Sequence, residues 1–110
     1  SAAGNSWSGL VFAMREESAF RQDLFLEVVL VPVALWMPAT VVETTLMLAS
    51  LVIVLIVELL NSSVEAAVDR ISYSKHGLSK RAKDYGSAAV MLAIMLCGAV
   101  YALIAAKYYL

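Results

Sequence analysis

The segment from Thr44 to Val57 contains no charged residue. An uninterrupted apolar run of this kind is stable only inside a protein core or in lipid, because water would otherwise hydrate its apolar side chains. The whole chain of 110 residues is 62% hydrophobic and 15% charged, and its mean hydropathy is +0.82. These values exclude an ordinary soluble domain. We therefore expect an all-α integral membrane protein.

The apolar run leads directly into a polar stripe made of Glu58, Asn61, Glu65 and Asp69. At about 100° per residue, these four side chains lie within an arc of about 80° on one helix face. An acid at the end of a membrane run is costly unless it faces a cavity, a partner or a cation, so Glu58 is expected to be functional. The alternative is a solvated helix face, but such faces usually also contain Lys or Arg, and none occurs here before Arg70.

Three segments are predicted to cross the membrane, at about 24–37, 41–70 and 80–107. The second exceeds the roughly 20 residues that cross a bilayer, so its last turns are expected to extend into the cytosol. The third contains the uncharged stretch from Tyr85 to Ala106. The first is the weakest, because Glu27 and Pro32 interrupt it, although proline is tolerated inside membrane helices. Together they predict a single membrane domain over residues 1–110.

An amphipathic helix is predicted before the first span, at about 5–20. Its apolar residues follow an i, i+3, i+4, i+7 pattern after a possible N-cap at Asn5 or Ser6. These apolar residues are Trp7, Leu10, Val11 and Met14. The pattern indicates a helix that lies in the membrane interface, and the alternative is a helix packed into a core.

Basic residues set the expected orientation. They crowd the loop between the second and third spans and also precede the first span, whereas the connection at 37–43 has none. The positive-inside rule therefore places the N-terminal helix and the 70–83 loop in the cytosol. Cys97 falls within the third span and is expected to be a small packing residue. With only three short spans, the chain is expected to form an oligomer, and its basic loop is too short to indicate nucleic-acid binding.

The third span begins with a group of polar residues that can face the acidic stripe. Lys83, Asp84 and Ser87 follow a possible N-cap at Ser79, and Glu17 adds an acid at the same membrane face. Carboxylate and amide oxygens suit Mg²⁺, and a lysine can neutralise phosphate charge. The pattern predicts a magnesium-nucleotide site. The glycines fit neither GxxxxGK[ST] nor GxGxxG, so a soluble kinase fold is not expected.

Two long blocks resemble the bacterial integral-membrane diacylglycerol kinase family. They are ELLNSSVEAAVDR at 58–70 and HGLSKRAKDYGSAAV at 76–90. The segment ESAFRQ at 17–22 and the opening AAG…SW also match. The resemblance implies a homotrimer of the bacterial inner membrane, in which each protomer has a surface helix and three spans. Its active sites would be shared between protomers, on the cytosolic side.

The resemblance also implies an activity and a set of site residues. The family transfers the γ-phosphoryl group of MgATP to diacylglycerol, which gives phosphatidic acid and ADP. Glu58 is then implied as the general base, and Glu17 and Glu65 as ligands of Mg²⁺. The nucleotide would contact Glu17, Asn61, Glu65, Asp69, Ser74, Lys75, His76, Lys83 and Asp84. The lipid substrate would contact Ala19, Phe20, Arg21, Gln22, Trp36, Glu58 and Ser87.

Two other functions are compatible with parts of the sequence. Undecaprenol kinase, a close relative, shares the acidic blocks, although the AFRQ and RAKDYGS segments resemble the diacylglycerol branch. A small multidrug transporter has a similar length and uses a membrane glutamate. It would need four spans and an acid deep in the first one, for which Glu27 is the only candidate.

Overall fold

The computed structural model describes residues 1–71 and 77–110, and all regular structure within them is helical. Helix α1 spans Ala2–Glu16, α2 spans Ser18–Trp36, α3 spans Val41–Ile71 and α4 spans Gly77–Tyr109. The predicted nucleotide contacts Ser74, Lys75 and His76 lie outside the described residues. Of the described helices, α3 and α4 are long and apolar enough to cross a membrane. The all-helical prediction is confirmed, and the third predicted span corresponds to α4.

The helix boundaries differ from the predicted ones mainly at the N-termini and at the end of the surface helix, which stops at Glu16 and not at about residue 20 because Glu17 is extended. Helix α1 begins at Ala2 because the Ser1 hydroxyl accepts a hydrogen bond from the Gly4 N–H at 3.1 Å, so neither Asn5 nor Ser6 is the N-cap. Helix α2 begins at Ser18, six residues before the predicted span at 24, and continues through Pro32. Helix α4 begins at Gly77, so Ser79 lies inside its first turn and is not the N-cap.

Helices α3 and α4 form the main packing interface of the chain, and α2 packs against α3. Two buried apolar clusters fill the interior. One contains Ala34, Met37, Met47 and Ile104, and the other contains Leu51, Val54, Ala93 and Cys97. Small side chains at Ala93 and Cys97 allow a close approach of the helices, and the prediction that Cys97 is a small packing residue is confirmed. Cys97 is a free, buried thiol.

The far end of the helix pair, opposite the polar stripe, is fastened by Glu43. Its carboxylate accepts hydrogen bonds from Lys107 Nζ at 2.7 Å, from the Tyr108 hydroxyl and from the Thr40 N–H at 2.9 Å. The Thr40 hydroxyl in turn accepts from the Glu43 N–H at 3.1 Å. This reciprocal capping box starts α3 and also joins it to the last turn of α4.

Glu43→Gln is expected to lower the free energy of unfolding measurably, because it removes charge-assisted hydrogen bonds that join two helices. The matched control is Thr45→Val. The Thr45 hydroxyl bonds only to the Val41 carbonyl of its own helix, so this variant should stay close to the parent protein. The stability of each variant is measured from the loss of helix content during titration with a denaturing detergent. Equal stability of the two variants would show that Glu43 caps α3 without fastening α4.

Candidate active site at the polar end of the helix pair

The acidic stripe of α3 lies where α1, α2 and α4 all approach it. Glu58 is 6% exposed and is one of two buried polar residues of the described chain, with Ser50. Glu58 directly follows the uncharged run, and it therefore lies at the boundary of the apolar core. The remaining members of the stripe, Asn61, Glu65 and Asp69, follow towards the exposed end of α3.

Glu58 faces a second carboxyl group that the sequence analysis did not select. The side chains of Glu58 and Asp23 lie within hydrogen-bonding distance of each other. A hydrogen bond between two carboxyl groups requires one proton between them, since an ionised carboxylate only accepts. Asp23 Oδ2 is buried without a hydrogen-bond partner, as is Oε2 of Glu27 one turn further along α2. Asp23 and Glu58 therefore form a pair of facing carboxyl groups that can hydrogen-bond when one of them is protonated.

Two further carboxylates complete the acidic cluster. Both Glu65 and Glu17 interact electrostatically with Glu58. Glu17 comes from the junction between α1 and α2, and with Leu59 and Ser62 it lines a cleft of about 580 Å³ between α1 and α3. The sequence predicted that Glu17 lies at the same membrane face as the stripe, and the structure brings it to that place.

Helix α4 supplies the cation that faces these acids. Lys83 Nζ lies 2.5 Å from Asp69 Oδ1, so the prediction that Lys83 faces the stripe is confirmed. Lys83 precedes the uncharged stretch of α4, and its ammonium group donates to the Asp69 carboxylate. Asp84 points elsewhere and pairs with Lys80 at 2.7 Å along the surface of the same helix.

Asn61 is held between the stripe and α4. Its amide Nδ2 donates to Glu65 Oε1 at 2.8 Å, while its Oδ1 is buried without a hydrogen-bond partner. A Cβ atom at Gly86 would lie closer to Asn61 Oδ1 than the 3.0 Å that real Cβ contacts respect. Gly86 is thus the position at which α4 leaves room for the Asn61 side chain.

Gly86→Ala is expected to raise the KM for MgATP by about tenfold, because the added methyl group turns Asn61 away from Glu65, which the family resemblance implies as a metal ligand. Gly98→Ala is the matched control, since a Cβ atom there meets nothing within 4 Å. Both variants gain the same helix propensity of about 1 kcal/mol. Steady-state kinetics in micelles compares them, and equal KM values would remove Asn61 from nucleotide binding.

The predicted lipid contacts are only partly brought together. Phe20 is buried and lines an apolar recess with Leu24 and Leu55 beneath α1, whereas Ala19, Gln22 and Ser87 are exposed. Trp36 is 79% exposed. It lies at the opposite end of α2 from Ala19, about 25 Å away along the helix axis. A single chain therefore does not place Trp36 beside Glu58.

Comparison with known proteins identifies the family of this chain. A family model described as prokaryotic diacylglycerol kinase matches residues 4–105. The chain belongs to this family. Diacylglycerol kinase from Pseudomonas aeruginosa is 48% identical to it, over 94% of this chain and 84% of the relative. The enzyme of the same name from Escherichia coli K12 is 47% identical over 86% of this chain and 78% of the relative, and that from Helicobacter pylori 26695 is 38% identical over 82% and 70%.

Family membership makes the chain an ATP-dependent kinase and a membrane protein. The resemblance stated from the 58–70 and 76–90 blocks is confirmed, since both lie within the matched region. The transporter alternative is wrong, because the matched family is a kinase family.

The sequence analysis did not select Asp23 as a candidate site residue. A signal was present, because Asp23 and Glu27 are acids one helical turn apart immediately around the start of an apolar segment.

Proposed function

We propose that this chain transfers the γ-phosphoryl group of ATP to the primary hydroxyl of diacylglycerol, which yields phosphatidic acid and ADP. The proposal is supported above all by the buried Glu58 at the apolar boundary, which is paired with Asp23 and surrounded by Glu17 and Glu65. A membrane-anchored alcohol reaches this depth, and a nucleotide reaches the exposed end of the stripe. The names of the relatives agree with this substrate.

In the proposed reaction Glu58 acts as the general base. Glu58 takes this role in its carboxylate form, since only an ionised carboxylate can accept a proton. Glu58 then takes the proton of the lipid hydroxyl while the hydroxyl oxygen bonds to the γ-phosphorus and the bond to the β-phosphate oxygen breaks. Lys83 compensates the charge of the phosphate oxygens, and Asn61 and Asp69 line the nucleotide.

The donor set around Glu58 fits Mg²⁺. Among the described residues no group of three His, Cys, Asp or Glu side chains is arranged to hold a metal ion. Mg²⁺ in kinases is usually held by one or two carboxylates together with substrate phosphates, so the pair Glu17 and Glu65 is sufficient. Bound there, the ion would neutralise charge on the transferred phosphoryl group.

The proposed assembly is a homotrimer in the bacterial inner membrane. Helix α2 would form the first of the three spans, with Asp23 and Glu27 facing the protein interior, and α1 would lie in the cytosolic interface. The exposed Trp36 and Ser87 would meet lipid bound at a neighbouring protomer. The active sites would therefore be shared between chains.

The function is tested in mixed micelles that contain MgATP and either diacylglycerol or undecaprenol. We expect phosphatidic acid from diacylglycerol and much slower turnover of undecaprenol, with the Asp23→Asn variant reduced about tenfold because it disturbs the partner of the base. Turnover of undecaprenol at equal or greater efficiency would move the assignment to the sister enzyme. The absence of any lipid phosphorylation would reject the proposal.

Site sharing is tested by mixing inactive variants. Glu58→Gln chains mixed with chains inactivated at Trp36 should regain activity, because Trp36 of one protomer would meet lipid bound at another. Glu17→Ala mixed with Glu58→Gln is the matched control, because α1 and α3 of one chain bring these two acids together, and no recovery is expected. No recovery in either mixture, with subunit exchange verified, would mean that each protomer builds its own site.

A further inference from the structure

The junction between α1 and α2 is held by one side chain, Arg21. Its Nη1 donates hydrogen bonds to the carbonyl oxygens of Met14 at 3.1 Å and Arg15 at 3.0 Å. Its backbone N–H donates to the Glu17 carbonyl at 3.2 Å. The guanidinium therefore reaches back from the first turn of α2 to the last turn of α1.

These bonds satisfy groups that a helix end otherwise leaves without a partner. The last four carbonyl oxygens of a helix receive no hydrogen bond from an N–H group of the same helix. A cation at that end is also favoured by the helix dipole. The chain between the two helices consists of Glu17 alone, with φ of −111° and ψ of 106°. Because only this residue has extended torsions, the angle between α1 and α2 and the direction of the Glu17 side chain are set together.

The two sides of the junction are fixed by different contacts. On the apolar side, Phe20 is buried and faces the recess formed with Leu10 and Met14. On the polar side, the Glu17 N–H donates to the Ala13 carbonyl at 3.1 Å, and Arg21 spans the bend. Arg21 is committed to backbone carbonyls there, in contrast to the lipid contact that the family resemblance implied for it.

We infer that Arg21 is a positioning residue that holds the α1–α2 junction so that Glu17 is directed at the metal site. The inference rests on the proposed role of Glu17 as a ligand of Mg²⁺. A flexible junction would let the Glu17 carboxylate move away from Glu65 and weaken metal binding. The lipid substrate, in contrast, would be bound as before.

The test measures Mn²⁺ binding directly, by electron paramagnetic resonance on the full-length protein in micelles with a non-hydrolysable ATP analogue. Arg21→Met is expected to weaken Mn²⁺ binding by about tenfold, within the range for residues that orient a metal ligand, and to leave the KM for diacylglycerol unchanged. The Mn²⁺ affinity of Arg21→Lys should lie between those of the parent protein and Arg21→Met, because an ammonium group can still donate to a carbonyl oxygen. Arg15→Met is the matched control, since Arg15 takes part in the junction through its carbonyl oxygen.

A higher KM for diacylglycerol with unchanged Mn²⁺ affinity in both Arg21 variants would overturn the inference and assign Arg21 to the lipid. Glu17→Ala is measured in the same way. If Glu17→Ala leaves Mn²⁺ binding unchanged, the proposed metal ligand is wrong and the inference is wrong with it. If only Glu17→Ala weakens binding, the metal site stands and the positioning role of Arg21 is rejected. Arg21→Lys retains the charge and decides the question should Arg21→Met not fold.

Discussion

Glu58→Gln is expected to lower kcat by on the order of 10² or more and to leave MgATP binding nearly unchanged. The amide keeps the size of the side chain and can still hydrogen-bond to Asp23, but it cannot accept the proton of the lipid hydroxyl. Because that proton moves only in the transition state, its loss affects turnover and not ground-state binding. Phosphatidic acid formation at saturating MgATP gives kcat, and a binding titration with a fluorescent nucleotide gives the affinity.

Ser50→Ala is the matched control for this prediction. Ser50 is the other buried polar residue of α3, and its hydroxyl bonds at 2.7 Å to the Met47 carbonyl of the same helix. Its removal changes a buried polar group in the same helix without touching the acidic cluster, so kcat should be unchanged. Near-normal turnover of Glu58→Gln would remove Glu58 from the role of base. A large loss of turnover in both variants would instead point to general damage to α3.

Lys83→Met is expected to lower kcat/KM for MgATP by about 10², because a cation placed at the transferred phosphoryl group contributes strongly to phosphoryl transfer. Lys80→Met, one turn earlier on α4, is a close control. Each lysine forms one salt bridge, Lys83 across the helix interface to Asp69 and Lys80 along its own helix to Asp84. Exposed pairs of this kind contribute little to stability, so neither variant should unfold.

The comparison separates a catalytic cation from general surface charge. Steady-state kinetics over a range of ionic strength should show a large loss for Lys83→Met at every salt concentration and a small change for Lys80→Met that salt removes. Equal losses in the two variants would indicate that α4 only contributes a positive surface to attract ATP. A larger loss in Lys80→Met would move the phosphate contact to Lys80.

The polar stripe on α3 could be predicted because helix periodicity alone places residues 58, 61, 65 and 69 on one face. The approach of Lys83 to that stripe followed from its position at the start of an apolar span, because the ends of neighbouring membrane helices meet at the same surface. The pair formed by Glu58 and Asp23 could not be predicted in this way. It depends on how far α2 extends beyond its apolar segment, and Ser18 starts that helix a turn and a half earlier than hydropathy indicates.

The contact of Glu43 with Lys107 and Tyr108 could not be predicted from the sequence either, because it joins positions more than 60 residues apart. Arg21 provides a second example. The family resemblance placed it on the lipid side, while the structure shows its guanidinium on the carbonyls of Met14 and Arg15. In both cases the angle between two helices determines which groups a long side chain contacts. Sequence periodicity does not predict that angle.

The sequence by itself determined the class of this protein and the chemical character of its site. Uncharged runs of membrane length, an acidic helix face and a lysine at the start of the next span are local properties, and local periodicity is sufficient to read them. Only the tertiary structure decided which acids meet. Asp23, Glu17 and Glu58 come from three different segments, and their approach depends on the bend at Glu17 and on the close packing of α2 and α4 against α3.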